Sequence, residues 1–159
     1  KGQVLEWTGP RPKAKSVAAK LLPGTVVDHE QAILTGDWNP SRANGPYVGA
    51  GYLHDNNEGQ GEKSARFDAN LPKDGTYTVR LTYAPNSNRA SNVHVIVHHA
   101  GGTTEVTVNQ REKPPVDDLS IELGKFRFQK PLPCAVEIRN DNANGYVIAD
   151  AVQWIPNEK

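Results

Sequence analysis

The sequence predicts an all-β fold, an antiparallel β-sandwich, on two observations. From Thr25 onward the apolar residues recur with a period of two rather than 3.6, and turn signals return about every 8–12 residues. The length of 159 residues suits one domain of this kind. A compact chain of that size buries roughly 68–70% of the surface it exposes when unfolded, so a core forms without disulfide or metal staples.

Residues 1–24 differ in composition from the rest of the chain. Pro10 and Pro12 interrupt the start, four lysines fall among the first 20 residues, and Pro23-Gly24 ends the stretch. It reads as a linker or an extension from a preceding domain. The spacing of Val17, Leu21 and Leu22 predicts a short helix over residues 15–22, too short to stand alone in water. Residues 25–159 form the sandwich module.

The clearest strand is 76–83, where Tyr77, Val79, Leu81 and Tyr83 point one way and Thr76, Thr78, Arg80 and Thr82 the other. One face is expected in the core and the other in water. Val93, Val95 and Val97 repeat the alternation, and Ala100-Gly101-Gly102 turns the chain back into 104–108 as a hairpin. Further strands are predicted at 25–29, 32–35, 64–70, 119–128, 135–140 and 146–155. The last is apolar on both faces, as a central strand would be, and places Trp154 in the core.

If consecutive strands run antiparallel, the turns at 71–75, 100–103 and 129–133 lie at one end. Segments 54–63, 85–92, 110–118 and 141–145 then gather at the other. That second end is rich in Asn, Asp and Arg. Turn chemistry alone enriches Asn and Asp, while binding residues also favour loops held by a rigid scaffold; both readings stand.

Composition excludes several functions. Lys and Arg number 18 and Asp and Glu 18, so no net field recruits nucleic acid or an anionic membrane. No apolar run reaches the ~18 residues of a membrane span. Cys134 is the lone cysteine, which rules out an internal disulfide or a cysteine-based zinc site; it reads as a small buried residue. The chain starts at Lys1 and contains no methionine, which is read as a piece of a longer precursor. A monomer is expected.

Five histidines invite an enzymatic reading that the spacing does not support. His98 and His99 are adjacent in a strand and face opposite ways, and His94 and His98 sit about 13 Å apart at ~3.3 Å per residue. No nucleophile elbow, His-Glu-x-x-His or phosphate loop is present, so no catalytic residues are assigned. No cofactor is expected apart from a structural calcium, for which Asp28 with Asp150, or Asp141, are candidate ligands. Asp residues capping turns are the alternative.

For sugar binding the needed machinery is an aromatic platform with amide, carboxylate and guanidinium groups around it. Trp38, Tyr47, Tyr52 and His54 lie in an irregular Gly- and Pro-containing segment, and Asp55, Asn86, Asn88, Arg89, Asn92 and Gln110 lie in the polar loops. These ten are the candidate ligand residues. The alternative places Trp38 and Tyr52 in the core and has Arg89 tie its own loop.

The ordered set Asp28-His29-Glu30, Thr35-Gly36-Asp37-Trp38, 71–77, 88–92, 99–104 and 145–152 resembles the golvesin C-terminal or xanthan-lyase-type carbohydrate-binding-like domain. The resemblance covers roughly residues 25–156. Tyr47-Val48-Gly49 and 109–115 resemble most a version that ends large planctomycete-type proteins described as FAD-dependent oxidoreductases or xanthan lyases. The resemblance implies a jelly-roll sandwich of the galactose-binding-like kind with no chemistry of its own. Its implied partners are a polysaccharide or other glycan and the catalytic domains of a secreted or cell-surface bacterial parent, outside the cell or in the periplasm. It does not imply xanthan as the ligand. A structural domain that packs against its parent without binding sugar is the second reading.

Overall fold

The computed structural model describes residues 16–157, so the first fifteen residues of the expected linker lie outside the described residues. Fourteen strands occur in it: β1 (Ser16–Val17), β2 (Thr25–Asp28), β3 (Ile33–Thr35), β4 (Asn39–Ser41), β5 (Tyr47–Val48), β6 (Tyr52–His54) and β7 (Ser64–Asp68), then β8 (Gly75–Thr82), β9 (Val93–His99), β10 (Gly102–Val108), β11 (Ser120–Phe128), β12 (Ala135–Arg139), β13 (Ile148–Ala149) and β14 (Ala151–Pro156). The helical content of the described residues is two 3-10 turns, Ala19–Leu21 and His29–Gln31.

Two antiparallel layers form the sandwich. One has the order β10-β9-β12-β7-β3 and the other β11-β8-β14-β2. Alternation puts Val93, Val95 and Val97 of β9, Val136 and Ile138 of β12, and Ala65 and Phe67 of β7 on one inner face. Tyr77, Val79 and Leu81 of β8, with Val152 and Trp154 of β14, line the other. These residues share one continuous core, in which Trp154 is fully buried. The 93–108 hairpin forms in full register from Gly102 opposite His99 to Val108 opposite Val93.

Three local expectations change. The helix over 15–22 is replaced by β1 and the Ala19–Leu21 turn, because Val17 pairs with Val48 in a parallel ladder instead of continuing a helix. The strand expected at 146–155 is interrupted at Asp150, so that β13 pairs with β6 while β14 pairs with β8 and β2. The outer face of β8 is not wholly wet. Thr78 and Thr82 are buried, and beside Thr82 in the register Ala151 packs with Val48 and Leu119 under Val17, Ala19, Leu22 and Val26. The described part of the expected linker, residues 16–24, therefore lies against the sandwich, fixed also by a hydrogen bond from Gln153 Nε2 to the Pro23 carbonyl (3.0 Å).

Strands β4, β5 and β6 have no counterpart among the expected strands. β4 and β6 join β13 in a small sheet of order β13-β6-β4, which closes the polar end of the sandwich.

Candidate functional site

The four polar segments do meet at one end. Ala90 N–H donates to the Tyr146 carbonyl (2.8 Å), Gln110 N–H to the Ala90 carbonyl (3.0 Å), and Asp55 N–H to the Val147 carbonyl (3.2 Å). Asn92 donates from Nδ2 to the Asn142 carbonyl (2.8 Å) and accepts at Oδ1 from Asn144 N–H (3.0 Å), while the Asn144 side chain accepts from Ser91 N–H and donates to Ser91 Oγ (both 2.8 Å).

Side-chain directions then correct several expected ligand contacts. Asp55 and Gln110 are fully buried, Tyr52 is 1% and Arg89 4% exposed. Asp55 accepts from Val147 N–H (2.9 Å), Asn57 N–H (3.0 Å) and Asn140 Nδ2 (3.0 Å). Gln110 clasps Ile148 by both its amide atoms. Arg89 donates from Nε to the Ala84 carbonyl (3.0 Å), from one terminal nitrogen to Asn88 Oδ1 (2.9 Å) and from the other to the Tyr52 hydroxyl (3.3 Å), with its guanidinium over the Tyr52 ring. Buried polar groups must be bonded where they lie, and these four are bonded inward. They brace the loops. Tyr47 is buried against Tyr52, with ring centroids 6.1 Å apart.

The remaining candidates reach the surface only in part. Trp38 is half-buried against the core, and its indole N–H donates to the Thr35 carbonyl (3.1 Å). His54 is half-buried edge-on to Tyr146, and its Nδ1 accepts from Asn56 N–H (3.0 Å). Burial, with the nearby Arg89 and Lys63 charges, lowers its pKa and favours the neutral ring that this acceptor role needs, against the opposing pull of Asp55. Asn86 accepts from Ser87 N–H. The richness of this end in Asn and Asp has a backbone cause: Asn56, Asn57, Asp117, Asp118 and Asn142 all have positive φ, a region these side chains tolerate better than most.

A concave site lies beside the crown of loops. His29, Glu30, Pro40, Ser41, Arg42 and Tyr52, with Ala50 and Gly51, line a groove of about 470 Å³, within the size range of small-ligand sites. The Tyr52 hydroxyl at its wall accepts from Asn44 N–H (3.1 Å). Burial would raise the phenol, but bonds to Ser41, Asn44 and Arg89 outweigh it and lower its pKa. Gly51 is required here, since a Cβ at that position would strike the Ser41 carbonyl. Glu30, Ser41 and Arg42 were missed by the sequence reading, because nothing in a strandless, Pro-containing stretch signals that β4 and β6 will pair and form a wall.

Behind the groove, the β2–β14 register sets Asp28 opposite Ala151 and so beside Asp150. Asp150 is fully buried; Oδ2 accepts from Val48 N–H (2.9 Å), and Oδ1 has no hydrogen-bond partner. Burial, and then the charge of Asp28, pushes the Asp150 carboxyl well above the usual range. Asp28 Oδ1 accepts from the His29 backbone N–H (2.7 Å) and lies 2.8 Å from its Nδ1. Among the described residues, Asp28, His29 and Asp150 are the group of three acidic or imidazole side chains whose donor atoms converge within 4.8 Å. Asp141, the other candidate, does not join them; it pairs with His94 Nδ1 (2.7 Å) and Arg139 Nε (2.9 Å).

A family model described as the golvesin C-terminal domain matches residues 25–155. The chain is 39% identical over 140 residues to xanthan lyase of Bacillus sp. (strain GL1), a match covering 84% of this chain and 15% of that protein. The structure of a Paenibacillus xanthan lyase superposes with a TM-score of 0.77 at 37% identity, over 84% of this chain and 13% of that one. A Podospora anserina GH26-CBM35 β-(1,4)-mannanase superposes with a TM-score of 0.62 at 20% identity, over 85% of this chain and 28% of that one, a likeness of fold. The chain thus spans less than a fifth of the xanthan lyases it matches.

Proposed function

This chain belongs to the golvesin C-terminal domain family, and from that premise we propose that it is a non-catalytic accessory module that binds polysaccharide for a larger enzyme, outside the cell or in the periplasm. The observation that carries the reading is that the homologous stretch is a small segment of xanthan lyase, 15% of its length. Catalysis then belongs to the rest of the parent. The sandwich supports this division, since the buried Asp55, Arg89 and Gln110 of its polar end are bonded inward as braces.

The groove lined by Glu30, Ser41, Arg42 and Tyr52 supplies the binding surface. Arg42 offers up to five donors to hydroxyls or a carboxylate, Glu30 offers acceptors, and the exposed ring of Pro40 provides an apolar wall. The crown residues Asn88, Asn92 and Asn144 are engaged with their own loops and contribute rigidity. Affinity electrophoresis of the intact chain through neutral and acidic polysaccharides, xanthan among them, tests the assignment. Arg42→Ala should weaken retention about tenfold or more, the loss of one charged hydrogen bond being about 1.5–3 kcal/mol, while Asn144→Ala leaves it within about twofold. The reverse order would move the site to the crown.

A specific observation favours a second reading, packing against the parent. The edge strand β3 exposes Ile33 (61%) and Leu34 (42%), an unprotected apolar edge of the kind that proteins cover. If that edge is the functional surface, Ile33→Lys with Leu34→Lys should disturb the full-length parent and leave polysaccharide retention of this chain unchanged.

A further inference from the structure

We propose that Asp28 and Asp150 form a site for a hard divalent cation of the calcium class, set between β2, the entry to β14 and the Val48–Gly49 turn. Asp150 is fully buried, with one carboxyl oxygen, Oδ1, lacking any hydrogen-bond partner. A bare carboxylate oxygen in a dry interior is costly and rare in native structures. The strand register sets a second carboxylate, Asp28, beside it, and among the described residues the ion pairs of these two acids are with His29 alone. Two acids facing each other without Lys or Arg call for a cation.

The geometry fits one. Two oxygens each about 2.4 Å from a single calcium ion lie at most ~4.8 Å apart, and the donor atoms here fall within 4.8 Å of one another. His29 does not compete as a ligand: its Nδ1 and its backbone N–H both lie on Asp28 Oδ1, at 2.8 and 2.7 Å. That arrangement holds the Asp28 carboxylate in place, as outer partners of metal ligands do, and leaves the carboxylate oxygens as the donor set, which suits calcium over zinc. Asp28 Oδ2 faces Gly49, where any Cβ would collide with it. The Asp28 side chain keeps 14% of its surface exposed, which leaves the pair within reach of an ion from water.

The site would act as a latch. Val48 N–H is held by Asp150 Oδ2, Gly49 N–H donates to the Val17 carbonyl (3.0 Å), and Ser16 Oγ donates to the Gly49 carbonyl (2.6 Å). A cation that fixes the two acids therefore also fixes β1, the strand by which the chain enters the sandwich.

The test strips the 159-residue chain with EDTA, then titrates Ca2+ by calorimetry and records melting curves with Ca2+, Mg2+ or Zn2+ in separate arms. The wild type should bind one Ca2+ and melt on the order of 5 °C higher when saturated. Asp150→Asn and Asp28→Asn should each lose both effects, whereas Asp141→Asn keeps them. No Ca2+ binding and no shift at millimolar Ca2+ in the stripped wild type would overturn the proposal, as would a response to Zn2+ alone or an undiminished Ca2+ response in Asp150→Asn. The wild-type titration decides even if a variant fails to fold.

Discussion

At the scale of single residues, Arg89 makes the plainest prediction. Its fork ties Ala84, Asn88 and Tyr52 while 4% exposed, so Arg89→Ala takes the donor from the Ala84 carbonyl in the interior and one of three partners from the Tyr52 hydroxyl. The expected cost is about 3 kcal/mol, a fall in melting temperature on the order of 6–12 °C, with polysaccharide retention unchanged below the transition. Lost retention with unchanged melting would contradict the bracing role. The sequence leaves both readings of Arg89 open, since Asn- and Asp-rich loops look alike whether their polar groups turn outward to a ligand or inward to hold positive-φ turns; direction is a property of packing. His94 makes a second prediction. Burial would lower its pKa, but bonds to Asp141 and Glu105 raise it above the usual value, and Arg139 faces the same Asp141. A raised histidine stabilises fully below its unfolded value near ~6.5 and loses that contribution as the pH climbs through its folded value. Asp141, lowered by His94 and Arg139 against its own burial, contributes above the ordinary carboxylate range and loses its share as the pH falls. Urea unfolding from about pH 5 to 9 should show the wild type losing up to about 1 kcal/mol relative to His94→Gln as the pH rises past ~6.5, the pair being partly exposed. Parallel curves would refute it.

At the scale of elements, what was legible followed from period. The strands β8, β9 and β10 alternate in sequence and sit where alternation placed them, whereas β11 shifts register between Glu122 and Gly124. The two- and three-residue strands β1, β4, β5 and β6 carry too few residues to show a period, and Pro40 and Gly49 read as breakers; only their partners make them strands. The break at Asp150 was likewise hidden within an apolar run. Gly24 shows how closely the N-terminal segment is fitted. It has φ of +78°, and a Cβ there would collide with the Trp154 carbonyl. Gly24→Ala should cost about 2 kcal/mol or more. Gly61→Ala, with φ of +90° but open space around it, carries the strain without the collision and should cost less. Equal losses in denaturant titrations would mean that the segment does not press on β14.

At the scale of the whole molecule, the parts serve one arrangement. Two antiparallel layers share a continuous core, a small sheet and a set of cross-bonded loops close one end, and a groove with exposed charge opens beside them. Cys134 adds no chemistry: burial, helped by Asp68, pushes its thiol up to about 12, far from the reactive thiolate range. The family and the sandwich were readable from ordered motifs. The groove was not, because Ser41 and Arg42 come to the Glu30 turn only once β4 pairs with β6. If this module holds polysaccharide without changing it, affinity electrophoresis of the intact chain, with the polysaccharide recovered and sized afterwards, will show both halves of that behaviour at once. Retarded migration in at least one polysaccharide, with the chain length of that polymer unaltered, is the expected result; migration unchanged in every gel, or a shortened polymer, would contradict it.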